Sequence, residues 1–369
     1  MLSVFCAPSR YVQGRDATLS LGSEMHKLGL TGHVFLMASK SARKNLERVW
    51  AKTFRESGST YSIYDFGGEC SRKEIDAAKV EANKCAAKVV VGAGGGKVLD
   101  AARAVASELN LPIVNCPTLA SSDAPCSALS VVYSPDGEFE SYIFYKRNPD
   151  LVLVDTTVIA LAPPRYLVAG MGDALATWFE AQTVIEAKKK NQLGGATTIS
   201  AAALAHLCFE TLLNDGLTAL RSVEARVVTP ALERLVEANT LLSGLGFESG
   251  GLAIAHSVHN GLTMVPQTHK YMHGEKVAFG LLVQLVAEGK PQLLIDQIIM
   301  FCANVGLPIC LADVGITSLN EDIVRKISER AAAPGETAHN SPFEVTPRLL
   351  ADALIAADAL GRPIRGSRI

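Results

Sequence analysis

Lys88-Val-Val-Val-Gly-Ala-Gly-Gly-Gly-Lys97-Val-Leu-Asp100 is the stretch that decides the fold. Lys88-Val-Val-Val91 is a short continuous apolar run, the pattern of a buried strand. It enters the cluster Gly92-Ala-Gly94-Gly95-Gly96-Lys97. Val98 to Leu109 then reads as a helix with Leu99, Ala102 and Val105 on one face. Strand, glycine cluster and helix in this order aim backbone N–H groups at an anion. The glycines let a pyrophosphate approach the backbone closely. Two stricter motifs fail. G-x-G-x-x-G counted from Gly92 meets Lys97 at its third glycine, and a Walker A loop finds Val91 and Val98 where Gly and Ser/Thr belong. A tight turn without a ligand is the plainer alternative. Asp100, in the first helical turn, either faces the loop or caps the helix.

Outward from this motif, strands and helices alternate over the first ~160 residues, as in a parallel sheet. His33 to Met37, Tyr61 to Phe66, Leu111 to Cys116 and Leu151 to Val154 read as strands, and Glu74 to Ala87 as a helix. Leu129–Tyr133 and Ser141–Tyr145 flank Pro135-Asp136-Gly137, a hairpin signature. Thr118 and Ser121-Ser122-Asp123 follow the Leu111–Cys116 strand, so their loop faces the same crevice as the glycines. Pro163-Pro164 marks a boundary. Beyond it the pattern is helical: Asp173–Ala187, Ala196–Leu213, Val228–Leu242, Gly251–Thr263, Gly274–Glu288 and Ile295–Val305. The fold class expected is an α/β Rossmann-like domain over 1–163 and an all-α domain over 164–369, with the active site in the cleft between them. The basic tail from Gly361 to Ile369 reads as frayed.

Length and composition agree with two domains. The chain has 369 residues, 48% hydrophobic and 20% charged, with a mean hydropathy of +0.21. A net charge of −2 gives no support for a nucleic-acid partner. No apolar run reaches the ~20 residues of a membrane span, and Met1 to Pro8 lacks the basic n-region of a signal peptide. Eight scattered cysteines form no C-x-x-C pair. Free thiols in a reducing cytoplasm are expected.

Four of the eight histidines, His256, His259, His269 and His273, fall within one short span. Neutral imidazole is the commonest ligand of transition metals. The spacings i,i+3 and i,i+4 each allow a shared helical face, and no H-E-x-x-H is present. A catalytic site needs about three protein ligands, so an acidic ligand must come from elsewhere. Asp173, after Gly170-Met-Gly172, is the candidate; a plain helix N-cap is the alternative. Spacing does not choose among the histidines.

These motifs together resemble the glycerol dehydrogenases of the iron-type (group III) alcohol dehydrogenase superfamily, whose fold is dehydroquinate synthase-like. The matching segments are Gly94–Asp100, Pro117–Tyr133, Gly172–Glu180, Gly246–Thr263 and His273–Gly280. The resemblance implies that Asp173, His256 and His273 hold zinc, with Fe2+ or Mn2+ as lesser alternatives. It implies that Gly95, Gly96 and Lys97 hold the pyrophosphate of NAD, and that Asp100, Thr118, Ser121, Ser127, Leu129 and Tyr133 complete the cofactor site. Asp123 would bond the substrate near the nicotinamide. His259 would sit beside the metal and help move the proton. Family members commonly carry an acidic residue for the adenosine ribose where Ser39 stands here. With Lys40 and Arg43 nearby, NADP becomes possible, although NAD remains the expectation.

The reaction implied is oxidation of glycerol to dihydroxyacetone, with hydride leaving a metal-activated alkoxide for the nicotinamide. A cytoplasmic homo-oligomer, an octamer by analogy, is implied as well. A lyase or dehydrogenase acting on a phosphorylated substrate would need several cations near His273, and only Lys270 and Lys276 are close in sequence. A cofactor-binding sensor without turnover is a third class. Gly246-Phe-Glu-Ser249-Gly-Gly251 lacks the G-x-S-x-G spacing of a serine hydrolase.

Overall fold

The computed structural model describes residues 1–134 and 139–366. The expected turn Pro135-Asp136-Gly137 and the last three residues of the tail lie outside them. The chain divides into two compact units. One comprises Cys6–Pro163 with Ser222–Gly244. The other comprises Met1–Phe5, Pro164–Arg221 and Leu245–Ile369.

The first unit is an α/β layer structure. Its strands are β1 (Tyr11–Gly14), β2 (His33–Ala38), β3 (Thr60–Asp65), β4 (Val89–Gly94), β5 (Ile113–Pro117), β6 (Leu129–Tyr133), β7 (Phe139–Phe144) and β8 (Leu151–Asp155). Six form a parallel sheet in the order β1-β8-β5-β4-β2-β3. β6 and β7 pair antiparallel, apart from the sheet. Every residue of β4, β5 and β8 is buried, which is why their sequences are mostly apolar without alternation, Asn115 and Asp155 excepted. Helices α1 (Leu21–Lys27) and α2 (Lys40–Glu56) pack on one face through Leu21, Trp50 and Phe54. Helices α3 (Arg72–Lys84) and α4 (Gly96–Glu108) cover the other through Ile75, Ala78 and Val105.

The chain therefore leaves β2 toward one face and β4 toward the other. β2 and β4 are neighbours in register, Leu36 beside Val91. Connections that diverge from adjacent strands open a crevice beyond their carboxyl ends, the usual ligand position in such sheets. α5 (Thr156–Ala160) follows β8, with Asp155 accepting from the Thr157 and Val158 N–H groups.

The second unit is helical: α6 (Pro164–Glu186), most of α7 (Ile199–Glu224), most of α9 (Ser243–Gly250), α10 (Ile254–Thr263), α11 (His273–Ala287), α12 (Gln292–Val305), α13 (Glu321–Ala331) and α14 (Pro347–Gly366). α8 (Pro230–Glu237) and the π-helical turn Ala238–Leu242 belong to the α/β unit. There Gln13 Nε2 donates to the Glu233 carbonyl at 2.8 Å, Thr156 Oγ1 to Glu233 Oε1 at 2.8 Å, and the Tyr11 and Thr240 hydroxyls meet at 2.8 Å. These polar contacts draw a helical segment out of the stretch 164–369 and onto β1.

Two local expectations are corrected. Asp173 opens no helix: Pro164, well suited to a first helical turn, starts α6, and Asp173 lies in its interior. The tail is ordered helix to Gly366 despite Gly361 and Pro363. A Cβ at Gly361 would lie 1.7 Å from the Ile309 carbonyl oxygen, so this glycine is a packing contact. Among the described residues no helix is long and apolar enough to cross a membrane.

Candidate metal centre and phosphate loop

Three helices of the helical unit converge on one point. Asp173 comes from α6, His256 from α10, and His273 is the first residue of α11. Backbone contact makes this possible. A Cβ at Gly274 would lie 1.8 Å from the Ala169 carbonyl oxygen, and one at Gly280 would lie 2.3 Å from that of Ala255. With hydrogen there instead, α11 approaches both α6 and α10 closely. Asp173 Oδ1 is 3.0 Å from His273 Nε2 and 3.5 Å from His256 Nε2. One ligand atom from each residue lies within 4.8 Å of the others. One carboxylate and two imidazoles, with Asp173 wholly buried, make a donor set that suits a divalent cation and leaves room for further ligands.

Each imidazole is fixed from behind. His256 Nδ1 lies 2.6 Å from Glu180 Oε2. His273 Nδ1 lies 3.0 Å from His259 Nε2, and His259 Nδ1 lies 3.1 Å from Asn260 Oδ1. Asn260 Nδ2 in turn donates to Glu336 at 3.0 Å, which directs its Oδ1 to His259. This chain of donors sets the tautomers: His259 donates from Nδ1 and accepts at Nε2, so His273 donates from Nδ1, and its Nε2 is the atom that would meet a cation beside Asp173.

With no cation among them, the carboxylates and the rings shift one another. Burial alone would raise Asp173, but the His273 and His256 rings hold its carboxyl far below the usual range. Burial pushes His256 down, yet the carboxylates of Glu180 and Asp173 overcome it and hold the ring well above its ordinary value. Burial and the neighbouring His273 push His259 well below its ordinary value, so it is the neutral ring the tautomer chain requires. Burial lowers Lys276 to about 8. His269 lies elsewhere, its Nε2 2.9 Å from the Thr263 carbonyl.

The glycine loop occupies the crevice end of the sheet. Gly95 caps α4 without a side chain, and its carbonyl accepts the Val98 N–H at 3.0 Å. The first N–H groups of a helix have no intrahelical acceptor and face outward. Thr118 N donates to the Gly94 carbonyl, and Ser39 N to that of Ala93, each at 3.0 Å. Ser39 caps α2 through its hydroxyl. A Cβ on Gly95 would meet Leu119 at 3.3 Å, and one on Gly96 would meet Ser122 Oγ at 3.7 Å. Ser39, Gly95, Gly96, Lys97, Thr118 and the Ser121 loop thus adjoin at the ends of β2, β4 and β5. Lys97 pairs with Glu69 and sits 5.5 Å from the centre of the Tyr133 ring.

Asp100 does not belong to the exposed loop. It is buried, 3.3 Å from Arg103 Nη1, and accepts the Val131 N–H at 3.1 Å. Burial raises its carboxyl to about 6. The Asp100 carbonyl accepts from Ser130, and Arg103 donates to the Ala124 carbonyl. This pair anchors the segment that carries Ser127, Leu129 and Tyr133, so it supports a ligand site from below. Ser127 is buried, its hydroxyl donating to the Ala124 carbonyl. Asp123 accepts from Ser243 Oγ at 3.1 Å, and Asn239 donates to the Ala120 carbonyl at 3.1 Å. The π-helical turn Ala238–Leu242 therefore braces the 120–123 loop, a frequent use of such turns.

Comparison with known proteins places this arrangement. The iron-containing alcohol dehydrogenase family matches residues 8–156. A glycerol dehydrogenase from Thermotoga maritima is 50% identical over 98% of each chain. A glycolaldehyde reductase from Halobacterium salinarum is 47% identical over 99% of this chain and 100% of its own. The crystal structure of glycerol dehydrogenase from Schizosaccharomyces pombe superposes with a TM-score of 0.94 at 39% identity, covering 99% of this chain and 92% of that one. The chain belongs to the iron-containing alcohol dehydrogenase family. It is an oxidoreductase of the family's glycerol dehydrogenase group, as the motifs led one to expect. Sequence reading passed over Glu180, Glu69 and Asn239. Only Glu180 had a signal: it stands seven residues after Asp173, on the same face of one helix.

Proposed function

We propose that this oxidoreductase interconverts glycerol and dihydroxyacetone, and acts on related vicinal diols, with NAD and a divalent cation, zinc. The observation that carries the reading is the convergence of Asp173, His256 and His273, each imidazole held by a further residue. These three residues would hold the cation. When bound, it supplies Lewis acidity that lowers the pKa of a substrate hydroxyl.

The chain supplies the rest. Gly95, Gly96 and Lys97 hold the pyrophosphate through backbone N–H groups and a cation. Ser39 serves the adenosine ribose, while Thr118, Ser121, Ser127, Leu129 and Tyr133 hold the remainder of the cofactor. Asp123 accepts a hydrogen bond from the substrate beside the nicotinamide. When bound, the nicotinamide would supply the hydride acceptor for oxidation of glycerol at C2. His259, neutral and adjacent to His273, takes part in carrying the hydroxyl proton out. NAD rather than NADP fits Arg43, whose guanidinium is engaged by Asp65 at 2.6 Å and by Glu47 at 3.2 Å. A cytoplasmic homo-oligomer, an octamer by family analogy, completes the reading.

The Halobacterium relative's name gives a specific competitor, reduction of a two-carbon hydroxyaldehyde. NAD-linked oxidation of glycerol and 1,2-propanediol, and NADH-linked reduction of dihydroxyacetone and glycolaldehyde, should be assayed before and after chelation with metal analysis. Glycerol turnover that is lost with the metal and restored by zinc supports the proposal. A kcat/KM for glycolaldehyde far above those for glycerol and dihydroxyacetone replaces it with the reductase reading. Full activity in metal-free protein sinks both.

A further inference from the structure

Glu180 takes no part in the roles given so far, yet it is a wholly buried carboxylate on α6. A carboxylate in such a place needs hydrogen bonds to remain ionised, and it has three. Oε1 accepts the backbone N–H of Ala253 at 2.8 Å and that of His256 at 3.1 Å. Oε2 lies 2.6 Å from His256 Nδ1. The first two bonds tie the N-terminal turn of α10 to α6. The third sets one ring.

We propose that Glu180 is the positioning residue that makes His256 a ligand, by holding the ring with its proton on Nδ1 and its Nε2 lone pair turned toward Asp173. This rests on the metal reading above. The geometry gives it a consequence that simple packing does not share. In Glu180→Gln the side chain keeps its shape. Its amide oxygen must face the Ala253 and His256 N–H groups, because an NH2 there would oppose two donors. The NH2 then faces Nδ1, which must become an acceptor. The ring proton moves to Nε2, the atom that should meet the cation. The nearly isosteric variant therefore damages the site while preserving the fold.

The test compares wild type, Glu180→Gln and Glu288→Gln, each stripped of metal. Glu288 is a second carboxylate of the helical unit, its side chain largely out of solvent, hydrogen-bonded to Thr183 and Gln284 and given no role at the metal. Zn2+ affinity is measured by competition with a chromogenic chelator. Co2+ absorption reports the ligand field, and thermal unfolding of the metal-free proteins reports the fold. The expected result is a 10- to 100-fold loss of Zn2+ affinity and an altered Co2+ spectrum in Glu180→Gln alone, with cooperative unfolding retained. Unchanged affinity and spectrum in Glu180→Gln overturn the proposal and leave the metal reading standing. Equal losses in both variants also overturn it, since they mark a general packing effect. Wild type that binds neither ion overturns the metal reading itself.

Discussion

The proposed metal centre and the proposed phosphate loop are built in opposite ways. The first is made of side chains. Its three proposed ligands come from positions 173, 256 and 273, and each imidazole is held by another residue. The second is made of backbone. Its donors are consecutive, and what matters is the absence of side chains at Gly95 and Gly96. A side-chain site should fail when atoms are removed, and a backbone site when atoms are added. The substitutions below test that contrast.

The largest effect is expected at Asp173. Asp173→Ala removes the only carboxylate of the three-residue cluster and leaves two facing imidazoles. Loss of a Lewis acid forfeits several kcal/mol of transition-state stabilisation, so kcat/KM should fall roughly 1,000-fold or more. Metal content should fall with it. A variant that keeps stoichiometric metal would falsify the ligand assignment.

Lysines mark the same contrast. Lys97 at the loop is exposed, whereas Lys276 near His273 is buried, and burial lowers it to about 8 from 10.5. Between those values the unfolded chain binds the proton and the folded chain does not, so stability should rise with pH across that window and be depressed below it. The size is on the order of 3 kcal/mol at most. Lys276→Met should flatten this rise, measured as denaturation midpoints at pH 8 and pH 10. Parallel curves for the two proteins would mean that Lys276 titrates normally in the fold.

Two glycines separate packing from ligand approach. A Cβ at Gly92 would press on Ala102 Cβ at 2.8 Å, inside the sheet–helix interface. At Gly96 it would meet nothing nearer than 3.7 Å. Gly92→Ala should cost about 1–3 kcal/mol of stability through overpacking. Gly96→Ala should leave the melting temperature unchanged and raise the KM for NAD about tenfold, since its methyl occupies the anion's approach. An unchanged KM for Gly96→Ala would place the pyrophosphate elsewhere.

The contrast also explains what the sequence disclosed. β2, β4 and β5 announce themselves through contiguous apolar residues, and the loop follows in the same few positions. The metal centre is legible only as a crowd of histidines. Choosing His273 over His269 requires knowing that α11 begins at 273 and lies against α6, a fact set by Gly274 and Ala169 far apart in sequence. Asp173 resembles an N-cap because glycine precedes it. That glycine, Gly172, is instead a helix contact, its missing Cβ leaving room for the Gly274 carbonyl. Glu180 stayed hidden because a carboxylate in an apolar helix acquires meaning only when α10 presents its N–H groups to it. Likewise Asp100, next to the glycines in sequence, turned out to serve β6 from beneath.

The smallest expected effect lies at the rim of the loop, at Ser39. Its hydroxyl already accepts the Ala42 N–H at 3.2 Å as the cap of α2. Asp caps helices as well as Ser does, so Ser39→Asp should leave stability unaltered. The new carboxylate would accept from ribose hydroxyls and repel a 2′-phosphate. An exposed contact of this kind is worth at most about 1 kcal/mol, so kcat/KM for NAD should rise about two- to fivefold, with NADP falling. The wild type should already prefer NAD, because Arg43 is held between Asp65 and Glu47 rather than presented to a phosphate. Asp65→Asn should loosen that hold and raise kcat/KM for NADP. Should the wild type use both cofactors equally, and Arg43→Ala abolish NADP use alone, then the guanidinium leaves its carboxylates for the phosphate, and the rim of this backbone site is governed by side chains after all.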